Sequence, residues 1–243
     1  PLTYGELELI RAWIYAGAPE AGQVADPALL ANEDRYSYEA DDFVPLLAPP
    51  EGFQLHLGPF DVFPQGEREF FYYQGLGNDE PIYIDRVEIT MRRGSHHFIL
   101  YGFGDRTPTW ALPATEVFRD LRDSTGYPIP ANYLAMPFHR FLVGTQWPAL
   151  DYSLPEGVAL EIPPDYAFDM NAHYVNRTDA VVTGEVYVNL HTVDPETIQH
   201  TAKVVDFNNT DIALPAGERT TLERVFRFDE DASVFQLFSH AHE

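Results

Sequence analysis

Leu7, Ile10, Trp13 and Ile14 recur at helical spacing directly after Thr3-Tyr4-Gly5-Glu6, a stretch with the form of a capping box, and Gly17 and Pro19 stop the run. One short amphipathic N-terminal helix is predicted. Residues 20–52 hold Pro, Ala, Asp and Glu without sustained periodicity and read as a linker or an extended strap lying on a neighbour. From Phe53 the pattern changes to short β-rich runs broken by Gly, Pro, Asn and Asp, predicting strands over 69–74, 81–91, 98–103, 158–162, 168–175 and 181–193. In the last run Val186, Val188 and Leu190 fall on one face and Tyr187, Asn189 and His191 on the other. Many short strands with almost no helical pattern imply an all-β fold, an antiparallel jelly roll or β-sandwich over 53–195. Residues 196–201 read as a connection, after which strands predicted over 203–207, 220–228 and 233–238 start a second set. The roughly 45 residues left for that set are too few to close a two-sheet domain. Residues 196–243 are therefore expected to open a second jelly roll in a polypeptide that continues past Glu243.

Composition narrows the chemistry. At 243 residues, 45% hydrophobic and 14% aromatic, the chain can bury real cores. Its 38 acidic residues against 15 basic ones give a net charge of -23, which repels phosphate backbones and anionic lipid, so nucleic-acid binding is not expected. No apolar run approaches the roughly 20 residues of a membrane span, and Pro1-Leu2-Thr3-Tyr4 opens no signal core. A start without Met suggests a piece of something longer. With no Cys, disulfides, thiolate zinc sites and Cys nucleophiles are ruled out, leaving His, Asp, Glu and Met as the strong ligand types.

The histidines are the informative residues. Of 9 in the chain, five sit in three settings: His96 and His97 in Gly-Ser-His-His-Phe, His173 in Met-Asn-Ala-His-Tyr-Val-Asn, and His240 with His242 in Phe-Ser-His-Ala-His-Glu. Residues two apart on a strand share a face, so His240 and His242 can aim both imidazoles at one metal. Adjacent residues point to opposite faces, so His96 and His97 can share an ion only where a bulge, a strong twist or a strand end turns one of them. A lone strand His more often hydrogen-bonds a neighbour, and His56, His139, His191 and His200, which fit no shared spacing, are read that way. Taken together the three settings imply more, since imidazole suits copper and zinc.

The order of these motifs resembles the copper type II, ascorbate-dependent monooxygenases, the peptidylglycine- and dopamine-hydroxylating family. The shared elements are His-His before an apolar strand, a Leu-Pro-x-Gly-Val turn at Leu154, Pro155, Gly157 and Val158, an apolar-x-His-Tyr-x-Asn strand, and then His-x-His. Ile-Ala-Leu-Pro-Ala-Gly-Glu, residues 212–218, is similar to the turn before the family's second copper pair, and the likeness covers residues 85–243. The resemblance implies two copper sites. His96, His97 and His173 would hold the electron-transfer copper, while His240 and His242 would supply two ligands of the copper that works with O₂ to hydroxylate a substrate C–H bond. It also implies a small-molecule substrate, an ascorbate-like or cytochrome electron donor, and a bacterial periplasmic or extracellular setting. Asn171 and Asn176 are candidates for fixing the His173 tautomer.

Several features depart from the family. Its second site is completed by a downstream Met, yet Met91, Met136 and Met170 all precede His240. Peptide-amidating members carry Arg where Phe238 stands, which disfavours peptide amidation. The run Ile10-Arg11-Ala12-Trp13-Ile14 with Gly17-Ala18-Pro19 resembles the last helix of bacterial c-type cytochrome domains, implying haem c in a domain before Pro1; a generic amphipathic helix fits equally well. Residues 1–19 would then close that domain. Acidic clusters such as 39–42 and 229–231 lack a calcium-loop pattern, and Asn176-Arg177-Thr178 and Asn208-Asn209-Thr210 match the glycosylation triplet, a pattern that often arises by chance. No nucleotide or hydrolase motif occurs. Two other readings remain: a copper-holding or structural jelly-roll subunit docked on a protein partner, and a zinc site at His96, His97 and His173.

Overall fold

The structure, a computed structural model, describes residues 2–34, 43–104, 106–205, 207, 209 and 211–237. The chain divides between Asp42 and Phe43 into two compact units. In the first, α1 (Tyr4–Tyr15) starts at the predicted capping box: the Glu6 N–H donates to Thr3 Oγ1 at 3.1 Å and the Thr3 N–H donates to Glu6 Oε2 at 2.7 Å. A short 3-10 helix, Pro27–Ala31, lies against α1, and a Cβ added to Gly5 would stand 2.1 Å from Leu29 O, an approach only glycine permits. Part of the stretch read as a linker or an extended strap thus builds the first unit. Residues 43–49 instead belong to the second unit, where Leu46 O and Leu47 O each accept a 2.9 Å hydrogen bond, from Gln54 and Asn189.

The second unit is an all-β sandwich. Its strands are β1 (Gly52–Val62), β2 (Glu67–Gly75), β3 (Ile82–Met91), β4 (Ser95–Phe103), β5 (Phe118–Asp120), β6 (His139–Thr145), β7 (Ala149–Ser153), β8 (Val158–Ile162), β9 (Ala167–Val175), β10 (Val182–Thr192) and β11 (His200–Ala202). One sheet runs β1-β10-β3-β8-β11 with β7 also on β3, and the other runs β5-β2-β9-β4-β6. The period-2 pattern decides which side chains meet between them. Val186, Val188 and Leu190 of β10 face Phe168, Met170, Ala172 and Tyr174 of β9 across a core that also takes Leu55, Leu57, Phe70, Ile89, Phe98 and Leu100. Each Val, Leu, Ile, Phe or Met among them contributes about 1.5–3 kcal/mol on leaving water. Tyr174 is buried with its hydroxyl satisfied, donating to Glu185 O at 2.9 Å, and burial pushes its pKa upward.

The expected second set of strands is the point of difference. Among the described residues of 203–237 none forms a strand, and nearly all are exposed. β11 pairs in parallel with β8 of the first sheet, so the sandwich reaches Ala202 rather than ending at residue 195. An alternating apolar run becomes a strand only where a neighbouring strand takes its N–H and C=O groups and an apolar face covers its side chains. Here Phe207 meets Phe226 and Phe228 at ring separations of 4.9 and 5.9 Å, a local cluster without a sheet.

Candidate metal centre

The polar row of β9 faces away from the core. Phe168, Met170, Ala172 and Tyr174 point inward, so Asp169, Asn171 and His173 share the outer face. His97 on β4 stands directly across from His173, and Glu69 on β2 stands across from it on the other side. Between Ser95 and His97 the β4–β9 register slips by one residue. His96 is the extra residue of this bulge, and the slip brings it to the face that carries His97. Adjacent histidines that a regular strand would separate are thereby placed together.

The donor nitrogens of His96, His97 and His173 all lie within 4.8 Å of one another, so the group can hold a metal ion. His96 is exposed and the other two are half-buried. His96 Nδ1 and His97 Nδ1 are 3.2 Å apart, close to the roughly 3.3 Å expected between two nitrogens bound to one tetrahedral metal at 2.0–2.1 Å. Asn171 sets the His97 tautomer. Its Nδ2 donates to Phe70 O at 3.1 Å, which turns Oδ1 toward His97 Nε2 at 2.8 Å, so Nε2 carries the proton and Nδ1 keeps its lone pair. His173 Nε2 is turned toward Glu67 Oε2 at 3.5 Å.

Electrostatics favour a neutral His173 ring at physiological pH. Burial lowers the His173 pKa below the ordinary histidine value, partly offset by Glu69, with the other two imidazoles lowering it further. Glu69 is itself held below the usual carboxylate range, mainly by its contact with His97 and against the cost of its burial.

His240 and His242 lie outside the described residues, as does Phe238, so the three-histidine group is the candidate site of the described chain. Asn171 serves His97 rather than His173, correcting its expected partner. Asn176 serves neither: its Nδ2 donates to Val62 O and Ala180 O, and its Oδ1 accepts from the Thr178 N–H and hydroxyl, which makes it a buried turn residue. The remaining histidines have other partners or stand in the open. His56 pairs with Glu185 at 2.9 Å and stacks on Tyr187, His191 pairs with Glu88 at 2.6 Å, and His139 with Asp169 at 2.8 Å, while His200 is exposed on β11. Sequence reasoning missed Glu67 and Glu69. Their signal is outward parity on a strand that neighbours β9, which appears only once the strand order is known.

No protein-family model matches this chain, and no curated protein matches it. The resemblance to the copper monooxygenases therefore rests on the order and spacing of its motifs. No helix among the described residues is long and apolar enough to cross a membrane.

Proposed function

We propose that His96, His97 and His173 hold a copper ion as the electron-transfer centre of a copper-dependent monooxygenase, with His240 and His242 contributing to a second copper site. The observation that carries this reading is the bulge at His96, which gathers three imidazoles on one outer face. A bulge is an irregularity that breaks a ladder, and here it serves no core contact because His96 is exposed. An all-imidazole donor set suits copper or zinc and not the hard cations that prefer oxygen. The copper supplies one-electron chemistry. The protein's part is to present neutral ligands: Asn171 holds the proton of His97 on Nε2, and burial keeps His173 unprotonated at neutral pH. The expected substrate is a small molecule hydroxylated with O₂ and external electrons, in a periplasmic or extracellular compartment.

The same donors would also take zinc, and the pairing of two of the rings with outer acceptors is a feature of structural zinc sites too. That version is a metal-holding subunit without turnover. Copper and zinc content after loading, with EPR of the Cu(II) form, separates the two. Expected are two type II coppers per chain, one lost in His97→Ala/His173→Ala and the other in His240→Ala/His242→Ala. No copper, or copper unchanged in both variants, overturns the monooxygenase reading; preferential zinc retention favours the subunit.

A further inference from the structure

The two carboxylates of β2 are the part of the site that the ligand set leaves unexplained. Glu67 and Glu69 occupy successive outward positions, and Glu69 is the cross-strand partner of His173. Glu67 Oε2 stands 3.5 Å from His173 Nε2, and Glu69 Oε1 stands 3.6 Å from His97 Nε2 and accepts from Asn171 Nδ2 at 3.5 Å. Among the described residues the ion pairs of these glutamates are with imidazoles, not with Arg or Lys. Their contrast is Asp169, four residues before His173 on the same face of β9, whose charge is met by Arg119. Among the described residues the negative charge beside the three histidines thus has no Arg or Lys ion pair to neutralise it.

We propose that Glu67 and Glu69 bias the three-histidine site toward the more highly charged state of its bound metal, with Glu67 acting as the positioning residue for His173, so that a copper held there is poised toward Cu(II). This rests on the copper reading above. Three neutral imidazoles add no charge of their own, so the metal's full charge faces the two carboxylates. Coulomb attraction to an anion is twice as large for a doubly charged ion as for a singly charged one at equal distance. A carboxylate behind a ligating imidazole also raises the basicity of the ring, which again favours the harder, more oxidised ion. The half-buried setting of His97 and His173 limits the screening that water would otherwise provide.

The test compares copper-loaded protein with the isosteric variants Glu67→Gln and Glu69→Gln and their double variant, which remove charge while keeping an acceptor, and with Glu67→Asp/Glu69→Asp, which keeps it. Chelator competition gives the Cu(I) and Cu(II) affinities, and a redox titration followed by EPR gives the midpoint potential. In the Gln double variant Cu(II) affinity is expected to fall about 10–100-fold with a much smaller loss for Cu(I). Each tenfold difference between the two raises the one-electron potential by about 59 mV. The Asp pair is expected to stay near the wild-type potential. Copper bound with the same or a lower potential in the Gln variants overturns the inference alone. Failure of the wild-type site to bind copper overturns the metal reading and the inference together.

Discussion

The two ends of the outer face of β9 carry the same kinds of residue and do opposite things with them. At one end Asp169 is fully buried between Arg119 and His139, with Tyr101 stacked on the His139 ring at 4.4 Å and Phe71 closing the cluster at 4.9 Å. At the other, four residues on, His173 meets His97 and an exposed His96, with carboxylates only at ion-pair distance. In the first cluster a buried anion has a cation and an imidazole to itself, and the His139 side chain is only 6% exposed, so it offers solvent ions little access. In the second, the outer acceptors engage Nε2 of two rings and leave nitrogens facing one another toward solvent. A histidine becomes a ligand candidate through what its second nitrogen is doing and through access, more than through the identity of its neighbours.

The largest expected effect lies at the closed end. Asp169→Ala strands a buried Arg119 and should cost about 3–5 kcal/mol in urea unfolding, without direct loss of a metal donor. If instead the variant stays as stable as the wild type, the closed end is not the structural anchor this comparison makes it. At the open end, Asn171→Leu removes the acceptor that holds the His97 Nε2–H and frees the ring to adopt the other tautomer. Metal affinity measured by chelator competition should fall about 10–100-fold, and Asn171→Asp, which keeps an acceptor for His97, should fall less.

A smaller effect is the pH dependence. His173 and Glu69 both have folded-state pKa values below their unfolded ones, so the unfolded chain binds more protons as pH falls. For His173, stability is fully present above its unfolded value of about 6.5 and is lost as pH falls through the lowered folded value; for Glu69 the same loss begins below about 4.3. The His173 ring should accordingly stay unprotonated through the ordinary histidine range and protonate only below it, which an NMR pH titration of its ring protons in the metal-free protein would show. A His173 midpoint at or above the ordinary histidine value of about 6.5 would contradict burial as the dominant influence on it. Least of all, His200→Ala on exposed β11 should change stability by no more than about 0.5 kcal/mol and leave metal binding untouched.

Much of this architecture was legible along the chain. The capping box at Thr3 and Glu6 marked the helix start because its hydrogen bonds close within one turn. The alternation in β10 marked its buried face because period 2 is a property of any strand. Its limit was the sheet partner: residues 203–237 alternate well enough to suggest strands, yet no described neighbour completes them. Asn171 shows the same limit at the site. Sequence proximity pointed to His173, but a side chain two positions along β9 reaches diagonally to β4, where His97 stands.

By itself the sequence determined what depends on local periodicity and residue chemistry: a capped N-terminal helix, an all-β body, and five histidines in three settings, His96 with His97, His173, and His240 with His242, as candidate ligands. Tertiary structure decided what depends on register between strands distant in sequence. The one-residue slip opposite β9 turned His96 onto the face of His97, strand order put Glu67 and Glu69 beside the rings, and the covering of Asp169 closed the far end. Register is a cooperative property of pairing across the sheet, where a single-residue slip reverses which face a side chain occupies, and no local stretch of sequence encodes it alone.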